Sequence, residues 1–239
     1  MKIPLQKFIA NSGYCSRRKA EELIRNSARS SQFETVLVNG RPAELGMAVS
    51  RSDEVKIKGK KIELSKNKIY IKLNKPNGYT CTNRKFEGET NIFDLVKTEE
   101  RLFVVGRLDK NSRGLILLTN DGELTQKLTH PKFEHEKKYQ VEIKSQNNIK
   151  TENVIQKLKE GVDIGEGDKI VKAKKVRYLR NNKFEIILTE GKKRQIRRMF
   201  NALGIDIIDL VRVEISGLKL ENLAEGKWEY LSASEIQKL

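Results

Sequence analysis

The sequence predicts an α+β fold in two domains. Residues 1–65 are predicted to form a small basic α/β domain, and residues 66–239 a larger domain with a mixed, largely antiparallel sheet. Three observations predict this. The 239-residue chain is 37% hydrophobic, enough to bury a core. Its apolar residues form short helical and strand patterns without strict alternation of the two. A lysine-rich stretch at 58–68 is expected to be a linker, with the boundary near Ser65.

The charge balance predicts a polyanionic partner. The formal net charge is +16, which favours nucleic acid over an acidic small molecule. The N-terminus carries no apolar signal segment and no apolar run reaches membrane-spanning length, so we expect a cytoplasmic protein that does not bind membranes. Cys15 and Cys81 lack CxxC spacing, which excludes a disulfide framework or a thiolate metal site.

The first domain is predicted as two helices followed by a strand pair. Apolar residues within 5–9 share one helical face, Gly13 is placed to end that helix, and Ser16 can cap a second helix. Strands are expected at 36–38 and 55–58. The second helix exposes a basic side made of Arg17, Arg18, Lys19 and Arg25. From charge alone, a merely solvated surface is an equally good interpretation.

This segment resembles the RNA-binding domain named after small-subunit ribosomal protein S-four. The likeness lies in LQKF at 5–8, SRRKAEELI at 16–24 and VLVNG at 36–40. It implies that Arg17, Arg18, Lys19 and Arg25 contact RNA phosphates, which positions an RNA without reading its bases. The segment 26–35 is longer than the usual turn of that family.

The second domain is predicted to mix strands and helices. Its first strand, 69–73, runs into the Pro/Gly turn NKPNG at 74–78. Further strands are expected at 103–105, 115–118, 139–143, 170–178 and 184–188. Helices are expected at 91–96, 123–128, 152–160 and 194–203.

The most specific stretch is GRLDKNSRGLILLTNDG at 106–122. It sets Asp109 between two apolar strand segments with glycines on both sides, so that a carboxylate can lie at the mouth of a cleft. Phosphate repels an acid from an RNA groove, so the acid is costly there unless it is paired or has a chemical role. From spacing alone, a turn aspartate paired with Arg107 or Lys110 is the commoner interpretation.

The stretch resembles the active-site motif of the pseudouridine synthases, in the branch that contains RsuA, RluB and RluF. EKKYQV at 136–141 and EGKKRQIRRMF at 190–200 match in the family's order, as do NKPNG and the final GKWEYL at 226–231. The resemblance implies isomerisation of a uridine to pseudouridine in structured RNA. The branch implies ribosomal RNA of the large subunit, with small-subunit RNA or tRNA as alternatives.

The resemblance also implies roles for residues around the target base. Asp109 would be the catalytic acid or nucleophile, attacking at C1′ or C6 or acting as a base at the ribose. Tyr139 would stack against the extruded ring, although its spacing alone favours a core position. Arg107 would support flipping of the base.

The basic run at 192–198 is assigned by helix geometry together with the resemblance. Apolar residues at 196, 199, 200 and 203 form one stripe, and Arg197 flanks it. This position lets Arg197 reach a half-buried carboxylate, and the resemblance implies that it pairs with Asp109 and holds it ionised. Lys193, Arg194 and Arg198 are expected to contact phosphates. A purely solvated basic face is the alternative.

The implied reaction needs no cofactor, since the bond from ribose to N1 is exchanged for one to C5 without redox change. The sequence lacks dinucleotide, P-loop and zinc-protease motifs. His130 and His135 are expected to form hydrogen bonds or face RNA, not to bind a metal.

We expect a monomer that binds ribosomal RNA. The rival, a non-catalytic RNA-binding assembly factor, would be expected to lose Asp109.

Overall fold

The computed structural model describes residues 2–27, 36–65, 67–84, 87–145, 150–168 and 170–239. The chain forms two compact units. The first comprises Met1–Ile69 with Thr98–Phe103 and Asn120–Gly122, and the second comprises Tyr70–Lys97, Val104–Thr119 and Glu123–Leu239. The mixture of helices and strands confirms the α+β class. Within the described ranges, no helix is long and apolar enough to cross a membrane.

The first unit combines two helices with short strands. The helices are α1 (Leu5–Asn11) and α2 (Arg17–Ser27), and the strands are β1 (Ile3–Pro4), β2 (Val36–Val38), β3 (Arg41–Pro42), β4 (Ala48–Val49), β5 (Val55–Ile57) and β6 (Lys60–Ile62). The strand order β3-β2-β5-β6 makes one sheet, and β1 pairs with β4. The antiparallel pairing of β2 with β5 confirms the predicted strand pair.

Local sequence explains both helices of this unit. Leu5, Phe8 and Ile9 are buried on one face of α1, and Gly13 has a φ of +82° where the helix ends. The hydroxyl of Ser16 accepts a hydrogen bond of 3.2 Å from the backbone N–H three residues on, which caps α2. The basic side of α2 is exposed, as predicted, through Arg17, Arg18, Lys19 and Arg25.

The predicted linker at 58–68 is wrong in part. Lys60–Ile62 forms β6 and pairs with β5, so the lysines belong to an edge strand of the first sheet. Lysine on an edge strand discourages pairing with another chain, which accounts for the composition that suggested a linker. The long segment at 26–35 falls mostly outside the described residues.

The remaining elements follow in chain order. The strands are β7 (Tyr70–Lys75), β8 (Phe103–Val105), β9 (Arg113–Thr119), β10 (Lys137–Ile143), β11 (Val162–Asp163), β12 (Ile170–Val171), β13 (Lys175–Arg180), β14 (Lys183–Leu188), β15 (Ile207–Ile215), β16 (Leu218–Lys219) and β17 (Trp228–Tyr230). The helices are α3 (Ile92–Leu95), α4 (Gly122–Thr129), α5 (Thr151–Glu160), α6 (Gln195–Ala202) and α7 (Ala233–Ile236), with a 3-10 turn at Pro131–Phe133.

One large sheet organises these elements. Its order is β13-β14-β10-β15-β9-β7-β17, with β16 beside β15 and β8 beside β9. The pairings along this order are antiparallel except that of β15 with β9, which is parallel. This confirms the predicted mixed, largely antiparallel sheet. The predicted strands omitted β15, and the strand expected at 170–178 is two strands, of which β12 pairs with β11 and β13 with β14.

Gly114 permits the parallel contact at the centre of the sheet. Its φ is +103°, and a Cβ there would lie 2.4 Å from the carbonyl oxygen and 2.8 Å from the amide nitrogen of Arg212. Only glycine fits both this conformation and this approach. The strand that follows Asp109 is thereby held directly against β15.

Candidate active site

A cleft of about 870 Å³ opens in the second unit, where the ends of several elements meet. Among the described residues that line it, eight are basic and two are acidic. The basic ones are Arg84, Arg107, Lys110, Lys137, Lys192, Lys193, Arg194 and Arg212, and the acidic ones are Asp109 and Glu190. A concave surface with this excess of cations concentrates a polyanion such as RNA.

Asp109 lies in the loop between β8 and β9. Gly106 begins this loop with a φ of +66°. The carbonyl of Asp109 accepts a hydrogen bond of 3.0 Å from the N–H of Ser112, and that of Lys110 accepts one of 2.8 Å from the N–H of Gly78. The NKPNG turn, predicted only as the end of a strand, is therefore also a support for the loop that carries the acid.

Lys75 stabilises the same loop through hydrogen bonds from its buried side chain. Its side chain is fully buried, and Nζ donates hydrogen bonds to the carbonyls of Pro76 (2.9 Å), Lys110 (3.2 Å) and Ser112 (2.6 Å). Burial lowers the pKa of Lys75 to about 8, although the charge of Asp109 acts in the opposite direction. Sequence reasoning missed this residue, because a lysine at the end of an amphipathic strand gives no sign of burial.

The carboxylate of Asp109 is half-buried and faces the cleft. It forms no hydrogen bond or ion pair with any residue that the structure describes. Its negative charge nevertheless acts on Lys75 and Arg197. It raises the pKa values of both side chains, against the larger lowering that burial causes. A carboxylate that lies among cations but is bound to none of the described ones keeps its oxygens available to a reacting atom.

The direct ion pair predicted between Arg197 and Asp109 is not formed between these two described side chains. Instead, Nη2 of Arg197 donates to the carbonyl of Asn111 at 2.5 Å, and Nε is buried without a partner among the described residues. Burial lowers the pKa of Arg197, and the charge of Arg194 lowers it further. Arg197 therefore holds the loop by its backbone and acts on the carboxylate through its charge.

Arg198, which was expected to contact phosphate, forms its hydrogen bonds within the protein. Its guanidinium donates to the carboxylate of Asp168 at 2.6 Å and to the carbonyl of Ile164 at 2.9 Å, with further bonds to the carbonyls of Gly165 and Lys193. Only 12% of the side chain is exposed. Helix geometry placed it toward solvent, but the loop after β11 folds over that side and binds it.

Other predicted residues do come together at the cleft. Arg107, Lys193 and Arg194 line it and are exposed, and Tyr139 lines it while buried in β10. Arg197 and Arg198 are not among the lining residues. The predicted acid, the aromatic ring and three of the residues predicted to bind RNA thus share one surface.

Sequence reasoning also missed two polar residues of this region. Gln195 is buried and donates to the carboxylate of Glu190 at 2.9 Å, while its own carbonyl accepts from the N–H of Lys192 at 2.9 Å, so it fixes the turn before α6. Arg212 is 1% exposed, and its Nε donates to the carbonyl of Leu115 at 2.8 Å. A charged residue inside a strand gave no sign that it would face a cleft.

The two histidines form hydrogen bonds, as predicted. Nδ1 of His135 lies 2.6 Å from the hydroxyl of Ser216, and Nδ1 of His130 accepts from the N–H of Lys132 at 3.3 Å. Burial lowers the pKa of His135, and so do the charges of nearby lysines. In the described part of the chain, no group of three or more His, Cys, Asp or Glu side chains is arranged to hold a metal ion.

Comparison with known proteins gives consistent matches. Residues 69–202 match the family model described as RNA pseudouridylate synthase. "Ribosomal large subunit pseudouridine synthase B" of Bacillus subtilis strain 168 is 37% identical over 98% of this chain and 94% of its own length. "Dual-specificity RNA pseudouridine synthase RluF" of Escherichia coli K12 is 37% identical over 98% of this chain and 77% of its own length. The solved structure "Crystal structure of pseudouridylate synthase" is 31% identical, with a TM-score of 0.70 over 99% of both chains.

Proposed function

Because the chain belongs to the RNA pseudouridylate synthase family, we propose that it isomerises a uridine of large-subunit ribosomal RNA, with Asp109 as its catalytic carboxylate. The observation that carries this proposal is the half-buried carboxylate of Asp109, which is unpaired among the described residues of a cleft lined by cations. The ribosomal substrate is supported by the likeness to the B. subtilis enzyme over nearly the whole of both chains.

The proposed chemistry uses residues that line the cleft. The target uridine leaves its stack at a cost of about a few kcal/mol. Asp109 then acts at C1′ or C6, or as a base at the ribose, while the bond from C1′ to N1 breaks and the base turns to be rejoined through C5. Loss of the proton from C5 and protonation of N1 then complete the isomerisation. Tyr139 stacks against the extruded ring, and Arg107 supports the flipped state. Arg197 does not line the cleft but holds the loop of Asp109 through the carbonyl of Asn111.

RNA binding is proposed to use both units. Arg107, Lys193 and Arg194 contact phosphates near the target. In the first unit, which we propose is an RNA-binding domain spanning 1–65, the exposed basic side of α2 contacts RNA phosphates through Arg17, Arg18, Lys19 and Arg25. Residues 66–239 then form the catalytic domain. We propose that the protein is a cytoplasmic monomer.

The test compares pseudouridine maps of ribosomal and transfer RNA from cells with and without the gene, by carbodiimide modification and reverse transcription. We expect one signal to disappear from large-subunit RNA. A signal lost from small-subunit RNA or tRNA would keep the activity but correct the substrate, and identical maps would contradict the proposed activity.

The catalytic role of Asp109 is tested by Asp109→Asn, which keeps size but removes the charge. We expect RNA affinity to be retained and product formation to be abolished. The matched control is Asp163→Asn, because Asp163 is exposed and an asparagine can still accept its bond from the N–H of Gly165. Pseudouridine formed at the normal rate by purified Asp109→Asn would contradict the assignment.

A further inference from the structure

Arg212 is a buried cation whose terminal nitrogens have no hydrogen-bond partner among the described residues. Its side chain is 1% exposed. Nε donates a hydrogen bond of 2.8 Å to the carbonyl of Leu115. Nη2 is fully buried and unpartnered. A guanidinium cannot lose its charge in a protein, so this arrangement costs stability until an acceptor reaches it.

The guanidinium lies between the two parts of the proposed catalytic machinery. Arg212 is the register partner of Tyr139 across β10 and β15, and such partners project from the same face of a sheet. On the other side, a Cβ placed on Gly106 would lie 3.8 Å from Nη1 of Arg212, next to the loop that carries Asp109. All of these residues line the cleft.

Depth in the cleft distinguishes the possible acceptors. The exposed cations Arg107, Lys193 and Arg194 are placed to meet phosphates, which run along the outside of an RNA strand. A nearly inaccessible guanidinium beside Tyr139 is instead placed to meet whatever lies against that ring. Lys137, also half-buried on the lining, adds positive charge there. The base itself offers two carbonyl acceptors, O2 and O4.

We infer that Arg212 is a substrate-positioning residue that donates a hydrogen bond to a carbonyl oxygen of the flipped uracil. This inference rests on the proposed function and adds a contact to the base. The bond holds the ring in register with Asp109 before the bond from C1′ to N1 breaks. An arginine in this place also disfavours a base that presents an amino group to it, since two donors would then face each other.

The test combines a change of one atom in the mapped target uridine with a substitution of Arg212 in the protein, and compares the two changes singly and together. The RNAs carry oxygen, 2-thio or 4-thio at that single position, because sulfur is a weaker acceptor. For the wild-type protein we expect one of the two thio RNAs to react about 10- to 100-fold more slowly in single turnover. Arg212→Gln should slow the unmodified RNA by a similar factor and abolish the difference between RNAs, with RNA affinity unchanged.

Controls separate positioning from folding. Arg177→Gln removes an exposed arginine of β13 that pairs with Glu185 and should leave every rate unchanged. If Arg212→Gln does not fold, Arg212→Lys retains the charge and is used in the same cycle, where a reduced thio effect is expected. The inference is overturned if neither thio RNA slows the wild-type protein, if the thio effect persists fully in the variant, or if only RNA affinity falls. Failure of wild-type protein to convert unmodified RNA would instead contradict the proposed function.

Discussion

Replacing Lys75 by methionine is expected to destabilise the protein by about 3 kcal/mol at pH 7 and to slow catalysis. Methionine fills a similar apolar volume but donates nothing to the carbonyls of Pro76, Lys110 and Ser112. Hydrogen bonds from a charged donor contribute about 1.5–3 kcal/mol each, so their loss costs about 6 kcal/mol. The carbonyl of Lys110 keeps its bond from Gly78, which limits the damage.

The burial of the ammonium group offsets part of that loss. Burial lowers the pKa of Lys75 from 10.5 to about 8, and at about 1.4 kcal/mol per pKa unit the buried charge costs about 3 kcal/mol, which methionine avoids. Between these two pKa values the unfolded chain binds more protons than the folded one. Wild-type stability therefore rises with pH relative to the variant, by about 2 kcal/mol from pH 7 to 9.5.

The assay is urea unfolding of both proteins at pH 7 and 9.5, with release of tritium from 5-tritiated uridine as the activity measurement. Lys174→Met is the control, because Lys174 is exposed and pairs only with Glu136 in a surface ion pair of small value. Equal stability of wild type and Lys75→Met at pH 7, or a stability difference that does not grow at pH 9.5, would refute the account of Lys75.

Three further outcomes are expected. Gly114→Ala should lower the free energy of unfolding by about 2–4 kcal/mol, because its Cβ would lie 2.4 Å from the carbonyl of Arg212 at a φ of +103°; unchanged urea unfolding would contradict this. Arg198→Ala should lower the free energy of unfolding, because the carbonyls of Ile164 and Gly165 and the carboxylate of Asp168 lose their donor, but should leave RNA affinity intact; a selective loss of affinity would support its predicted phosphate contact. Arg18→Gln should weaken RNA binding and reduce the salt dependence by about one counterion, with turnover at saturating RNA unchanged; an unaltered salt slope would remove it from the interface.

Local patterns predicted the parts of the fold that local physics determines. The apolar stripe of α6, the end of α1 at Gly13 and the cap at Ser16 depend on neighbours a few residues away, and all three are confirmed. The motif around Asp109 likewise indicated a loop between two strands. Each of these features can be read from a window shorter than twenty residues.

The remainder depended on residues far apart in the chain. Arg198 faces solvent on an isolated helix, and the loop at 164–168 supplies the carboxylate of Asp168 and the carbonyl of Ile164 that bind it. Lys75 looks like an ordinary strand residue until Ser112 supplies a carbonyl. The alternation in 207–215 is interrupted by charge at Arg212, which is buried because the strand runs through the middle of the sheet. No local pattern carries this information.

The position of β15 has a consequence for biosynthesis. This strand comes from the last part of the chain, yet it alone hydrogen-bonds both β10 and β9 along the sheet order, so the two halves of the sheet share no backbone ladder before residues 207–215 are made. Such distant pairing is slow to form. A nascent chain therefore lacks an assembled cleft until residues 207–215 have left the ribosome.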